Sequence, residues 1–290
     1  MAKKNSYSQS KRTQLQSQLK AEAERKKRNR LIGIICGVLV VALILVIIVV
    51  VQTRDDTPVD ETTPVVTSSV TTPSSGTPMF TPPNGTSEMA WIQVASANIK
   101  PDAIVVDEHL DYQCPICRQV DIQYGFGAAF RQLAERGDII LHVHIRSFMD
   151  NRLQNDSSTR AARAATCADT VGHFIDYHET IFTNQPAIEG TGYTDQQLRV
   201  DFPKEAGITG KDLTDFQTCY DAGQTLAYVQ GMEQVNFTSQ TVNGATQSPP
   251  TGTPAFYVNG KPMSAADLVN KTKSNDLASV LDFLKSAAGL

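Results

Sequence analysis

Residues 105–120 read VVDEHLDYQCPICRQV, and the meaning of the whole chain turns on this stretch. Its first half belongs to an apolar-rich strand, Ile104 to Leu110, and its second half opens a helix from Pro115 to about Arg136, closed by Gly137. Between them, at the strand-to-helix junction, lies Cys114-Pro115-Ile116-Cys117. A C-x-x-C pair elsewhere would be ambiguous. Here Cys114 faces unpaired backbone N–H groups and the positive end of a helix dipole, both of which favour thiolate over thiol. Pro115 costs nothing in a first helical turn, and the i to i+3 spacing returns Cys117 to the side of Cys114. Such a pair can open and close a disulfide. Each unit by which the Cys114 pKa falls is worth about 1.4 kcal/mol, or about 30 mV of oxidising power, and Ile116 adds no charge to that effect. Two other readings use the same residues. A zinc half-site would draw on Cys167, Cys219, His142 or His144, although the chain has no second C-x-x-C and no H-x3-H. An inert structural disulfide needs nothing further.

Downstream, Ile139 to Phe148 (IILHVHIRSF) is a second strand in which Leu141, Val143 and Ile145 alternate with His142, His144 and Arg146. The period then changes. Asp156 to Val171 is helical, with Asp156, Ser157 and Ser158 as cap candidates, and further helices are expected over His173 to Phe182, Thr194 to Glu205, Thr209 to Asp221 and Thr225 to Val235. After Pro249 and Pro250, Ala255 to Val258 resumes strand character, Asn259-Gly260 offers a tight hairpin, and Asn275 to Ala288 is a closing helix. This order describes an α/β core with a helical insertion at about residues 150–245. The five histidines form no HExxH pattern and read as ordinary residues.

Upstream, residues 1–30 carry ten Lys/Arg against two Glu, leaving 16 basic and 28 acidic residues for the rest of the chain. The net charge of −4 therefore conceals a basic tail on an acidic body, which argues against nucleic acid as a partner. Leu31 to Val51 holds 21 residues without a charge, a helix of about 31 Å and thus one transmembrane span. Arg25, Lys26, Lys27, Arg28 and Arg30 precede it, so residues 1–30 are a cytoplasmic tail and everything after Val51 is outside. A cleaved signal peptide would have a shorter apolar run and an A-x-A-like site. Cys36, within the span, reads as a small lipid-compatible side chain. Residues 52–87 are a Thr/Pro/Ser-rich linker with six prolines from Pro58 to Pro83, leaving 88–290 as the exported domain. Asn84, Asn155, Asn236 and Asn270 each start an N-x-S/T triplet, taken as chance.

Residues 105–120, together with Gly252-Thr253-Pro254-Ala255-Phe256-Tyr257-Val258-Asn259-Gly260, resemble the DsbA-like branch of the thioredoxin superfamily, especially its membrane-anchored actinobacterial members. Ser157 to Cys167, Phe182 to Gly192 and Ala206 to Cys219 are similar to that group as well, so the resemblance spans nearly all of the exported domain. It implies a thioredoxin-like fold with a helical insertion, preceded here by one transmembrane helix. It also implies a thiol:disulfide oxidoreductase needing no metal or organic cofactor. Cys114 is then the nucleophile, Cys117 the resolving cysteine, Pro254 a cis-proline facing them, and Glu108, six residues before Cys114, the family's buried acid. Thr253, Pro115 and Ile116 would touch substrate, the Thr253 backbone pairing with an extended strand. Glu108 would move a proton to or from Cys117, or else be a plain solvent-facing carboxylate. For Cys167 and Cys219, an oxidising compartment favours a structural bridge over two core thiols. The implied partners are exported polypeptides carrying cysteines and an unidentified redox partner, with the membrane engaged through residues 31–51. Oxidation is the preferred direction. A reductase or isomerase shares every motif, and a redox-inert binding module for unfolded chains remains the alternative from another class.

Overall fold

The computed structural model describes residues 80–290 apart from 95, 239, 243 and 244; the expected basic tail and transmembrane span lie outside these residues. Its centre is β2 (Ile104–Asp111), all eight residues of which are buried. A parallel strand, β3 (Ile139–Arg146), lies on one side of it, and an antiparallel strand, β6 (Ala255–Val258), on the other. The edges are β1 (Ile92–Val94), antiparallel to β3, and β7 (Lys261–Met263), antiparallel to β6, giving the order β1-β3-β2-β6-β7. Residues β4 (Gln240–Val242) and β5 (Ala245–Gln247) form a separate two-stranded ribbon.

The expected helix from Pro115 to Arg136 is two pieces. Pro115–Arg118 (α1) runs into a π-helical turn, Gln119–Gln123, and Gly125 with φ +75° breaks the chain before α2 (Phe126–Glu135). A left-handed residue cannot continue a right-handed helix, and glycine adopts that conformation without a Cβ clash. Gly137 closes α2 as expected; its φ is +73°, and a Cβ there would sit 2.2 Å from the Asn98 carbonyl oxygen. The second strand stops at Arg146 rather than Phe148. The insertion comprises α3 (Met149–Leu153), α4 (Ser157–Asp169), α5 (Phe174–Thr183), a π turn (Gln197–Asp201) leading into α6 (Phe202–Glu205), α7 (Gly210–Ala222) and α8 (Leu226–Val235). The Asn259-Gly260 hairpin has positive φ at both positions, the geometry that matches strand twist. Then α9 (Ala265–Lys271) and α10 (Leu277–Ala288) complete the fold. The short elements β1, α3, β4, β5 and α9 have too few residues to show a period.

Residues 82–86, assigned to the linker by composition, pack on the domain. The Asn84 backbone and side-chain N–H groups donate to Asp169 at 2.8 Å each, and Thr86 N–H donates to Tyr228 Oη at 2.9 Å. Three of the four N-x-S/T asparagines are engaged in this way: Asn84 here, Asn155 on Gln113 and Asn236 on the Met232 carbonyl.

Alternation along β2 and β3 places Val106, Glu108, Leu110, Leu141, Val143 and Ile145 on one face, and Asp107, His109, Asp111, His142, His144 and Arg146 on the other. Both faces are covered, so the second is a buried polar layer. His142 Nδ1 and His144 Nε2 each lie 3.1 Å from Asp107 Oδ1, Arg146 pairs with Glu233 of α8, and Trp91 stacks on His142 at 4.3 Å. His109 stacks on His144 at 4.0 Å, and neither of its ring nitrogens has a partner among the described residues. Burial, then its neighbours His144 and Arg146, push its pKa well below the ordinary value. Unfolding releases an imidazole that binds protons below about pH 6.5, so this stability is complete above that pH and is lost as pH falls beneath it. Unfolding midpoints compared at pH 7 and pH 5 should show a smaller loss in His109→Phe than in the natural protein; equal losses would exclude His109 as a source.

Cys167 in α4 and Cys219 in α7 are joined by a disulfide with Cα atoms 5.8 Å apart, which removes both from the zinc reading. The bridge closes a loop of sequence separation 52, worth about 4 kcal/mol on the chain-entropy estimate. Denaturant unfolding of Cys167→Ala/Cys219→Ala should show a loss of that order. A midpoint unchanged from the natural protein would contradict it.

Candidate active site

Strand β2 ends at Asp111, and the chain turns so that Cys114 N–H donates to the Asp111 carbonyl at 2.9 Å. Cys114 is extended (φ −75°, ψ 115°) and caps α1, with Pro115 as its first residue. With the N–H of Pro115 absent, those of Ile116 and Cys117 are the first amides of the helix, and both favour the Cys114 thiolate. Across from the turn, the Thr253–Pro254 peptide is cis, and Cys114 S–H donates to the Thr253 carbonyl at 3.4 Å. The Thr253 hydroxyl is buried without a partner among the described residues, and Thr253 favours the charged form of both cysteines. Residues 249–257, with Pro262, Met263, Ser264 and Ala265, line an open cleft of about 560 Å³ on the cis-proline loop.

The two thiols are unbonded and electrostatically unlike. The neighbouring Cys117 thiol, then Thr253 and the backbone N–H groups of Cys117 and Ile116, lower the Cys114 pKa to about 6 against the opposing effect of burial. Cys117 is only 1 % exposed; burial, and then the neighbouring Cys114, push its pKa well up. A pKa of about 6 makes Cys114 largely thiolate at neutral pH, while Cys117 keeps its proton.

Glu108 lies on the face of β2 that also carries Val106 and Leu110, and it is buried, not solvent-facing. Burial raises its pKa well above the usual carboxylate range, helped by Asp121, which is buried beside it. Asp121 lies one helical turn after Cys117, and its Oδ2 is 3.6 Å from His178 Nε2. Tyr112 Oη lies 3.0 Å from His178 Nδ1. A narrow cavity touches Glu108, Asp121, Ile122, His178, Glu179 and Phe182.

The turn is also held from the insertion. Asp111 Oδ1 accepts from Gln113 N–H at 2.9 Å and Ser158 Oγ–H at 2.6 Å, and Asp111 Oδ2 accepts from Met149 N–H at 3.2 Å. Burial nonetheless lifts the Asp111 pKa to about 7. The Gln113 side chain is surrounded by Asp150, Asn155 and Ser158. Tyr193 Oη–H donates to the Tyr112 carbonyl at 2.6 Å, and Gln185 Nε2 donates to the Tyr112 and Cys114 carbonyls.

Cys114, Cys117, Thr253 and Pro254 thus come together across more than 130 residues of sequence, with Pro115 opening α1 and Ile116 53 % exposed beside the sulfurs. Cys167 and Cys219 lie within the insertion. Asp111, Gln113, Asp121, His178 and Gln185 were not anticipated. Only Asp121 had a legible signal, an acid four residues after Cys117 on a helix whose apolar face must be buried.

A Cys114 pKa near 6 against an ordinary value of 9.0 means that the reduced protein gains stability as pH rises between those values, and loses it as pH falls through 6. Urea unfolding of the reduced protein across that range should show the gain, and Cys114→Ser should abolish it. A flat profile in the natural protein would exclude a stabilised thiolate.

Residues 100–274 match the thioredoxin family model. Among solved structures, the MdbA thiol-disulfide oxidoreductase from Corynebacterium diphtheriae is similar at 18 % identity and TM-score 0.51, covering 70 % of this chain and 92 % of that one. MdbA from Actinomyces oris gives 16 % identity and TM-score 0.52 over 71 % and 91 % of the two chains. BdbD from Bacillus subtilis gives 19 % and 0.50 over 73 % and 100 %. No curated protein sequence gives a significant match.

Proposed function

The chain belongs to the thioredoxin family, and from that premise we propose that it is a membrane-tethered thiol:disulfide oxidoreductase that introduces disulfides into exported polypeptides. The observation that carries this reading is the opposed character of the two sulfurs, a Cys114 pKa of about 6 beside a Cys117 thiol pushed well up. In the oxidised enzyme a substrate thiolate attacks Cys114, the Cys114–Cys117 bond breaks, and Cys117 leaves with the electron pair. Buried Cys117 cannot keep that charge and takes a proton, for which Glu108, whose raised pKa keeps it protonated beside Asp121, is the proposed source. A second substrate thiolate then attacks the substrate sulfur of the mixed disulfide and expels Cys114 as a stabilised thiolate. The substrate has lost two electrons and the enzyme has gained them; an external redox partner must remove them before the next cycle.

Stabilising Cys114 as thiolate favours the reduced enzyme and makes the disulfide form an oxidant. The Thr253 backbone beside the cis-proline supports recognition of an extended segment through its main chain, which would accept many sequences. The anchor is residues 31–51, with the basic residues 1–30 in the cytoplasm and the thiols outside.

Cys117→Ser should accumulate mixed disulfides between Cys114 and exported proteins, whereas Cys114→Ser should yield none. Absence of adducts from Cys117→Ser would sink the enzyme reading. The Cys114/Cys117 potential should lie above the thioredoxin value of about −270 mV; a value at or below it would reverse the direction to reduction.

A further inference from the structure

We infer that Gln185, from the loop following α5 in the helical insertion, is a positioning residue for Cys114, its side-chain amide fixing the turn on which the reactive sulfur is carried. This rests on the thiol-exchange reading above and extends it to a residue outside the thioredoxin-like core.

Gln185 Nε2 donates to two backbone carbonyls that flank Gln113, Tyr112 O at 2.8 Å and Cys114 O at 3.0 Å. Both amide protons are thereby committed to the chain that leads into the active-site helix. The two bonds are not equivalent. Tyr112 O has a second and shorter donor in Tyr193 Oη, at 2.6 Å. Besides Gln185, Cys114 O has among the described residues only the first i to i+4 bond of its own helix, from Arg118 N–H, and that bond is long at 3.3 Å. Gln185 is therefore the better of the two donors holding the Cys114 carbonyl.

The same loop grips the helix at a second point. Arg118 Nε donates to the Phe182 carbonyl at 3.1 Å, and Gln185 N–H donates to that same carbonyl at 3.2 Å. The end of α5 thus touches α1 at Arg118 and at Cys114, one helical turn apart. Gln185 itself is 8 % exposed, so its amide would be costly to bury without these partners. Hydrogen bonds to the Cys114 sulfur weaken steeply with misalignment, and supporting contacts of this kind decide whether a reactive group is held or loose.

Titration of Cys114 in the full-length protein tests the assignment, followed by thiolate absorbance. Gln185→Met keeps the length of the side chain and removes both donors; its Cys114 midpoint should rise by about one unit, a tenfold loss of thiolate below the midpoint. The rate toward a model disulfide at pH 5 should fall by a similar factor. Tyr193→Phe removes a bond to the same turn but none to Cys114, and should leave the midpoint in place. A Gln185→Met midpoint equal to that of the natural protein, or an equal shift in Tyr193→Phe, would overturn the assignment. Should Gln185→Met fail to fold, nuclear magnetic resonance of the natural protein decides: the Gln185 side-chain amide resonance should move when the Cys114–Cys117 disulfide forms, and an unmoved resonance overturns the assignment. If the midpoint shifts as expected while the natural protein forms no mixed disulfides, the positioning role stands and the oxidoreductase reading fails.

Discussion

A negative sulfur can persist at Cys114, itself only 6 % exposed, because the groups around it offset the cost of burial, and the surrounding fold holds those groups in place. The groups that favour its charge come from unrelated parts of the chain: Cys117 from the next helical turn, the amides of Ile116 and Cys117 from the backbone, and Thr253 from a segment about 140 residues away. The sheet brings these parts together. Strand β6 pairs with β2 in a register that sets Ala255 opposite His109, which delivers the Thr253–Pro254 peptide to the end of β2 where the thiol turn begins. A shift of register by one residue would turn Phe256 and Val258 away from the core and carry the carbonyl away from the sulfur.

The cost of this arrangement is visible in the amount of polarity buried near it. Glu108 and Asp121 share one face of the central strand pair, Asp107 and three histidines the other, and Asp111 sits under the turn itself. A core optimised for stability alone would place apolar residues at most of these positions. On the Glu108 side burial keeps a carboxyl protonated in the core. On the Asp111 side its use is mechanical, tying three elements to one carboxylate.

Much of the fold was legible in the sequence because the longer elements have enough residues to show a period: β2, α4, α5, α7, α8 and α10 all lie within two or three residues of their expected bounds. The break at Gly125 was not, since a lone glycine within helical spacing is tolerated as often as it interrupts, and only its positive φ decides. Nor was the buried polar layer, because alternation of Leu141, Val143 and Ile145 with His142, His144 and Arg146 has the same pattern as a strand with one wet face. At the site, Cys114 and Cys117 declared themselves by spacing, whereas Gln185 and Asp111 act through backbone carbonyls and amides that leave no trace in residue type.

The contact of Asn84 with Asp169 sets where the domain would bear mechanical load. Asp169 lies in α4 two residues beyond Cys167, whose disulfide fastens α4 to α7. Tension entering from the amino-terminal side of the chain is therefore delivered through Asn84 to a covalently cross-braced pair of helices. The thiol turn, held to the start of α4 through Ser158, stands at the other end of that brace, so a pull applied from that side would load the helices before it reached the thiols.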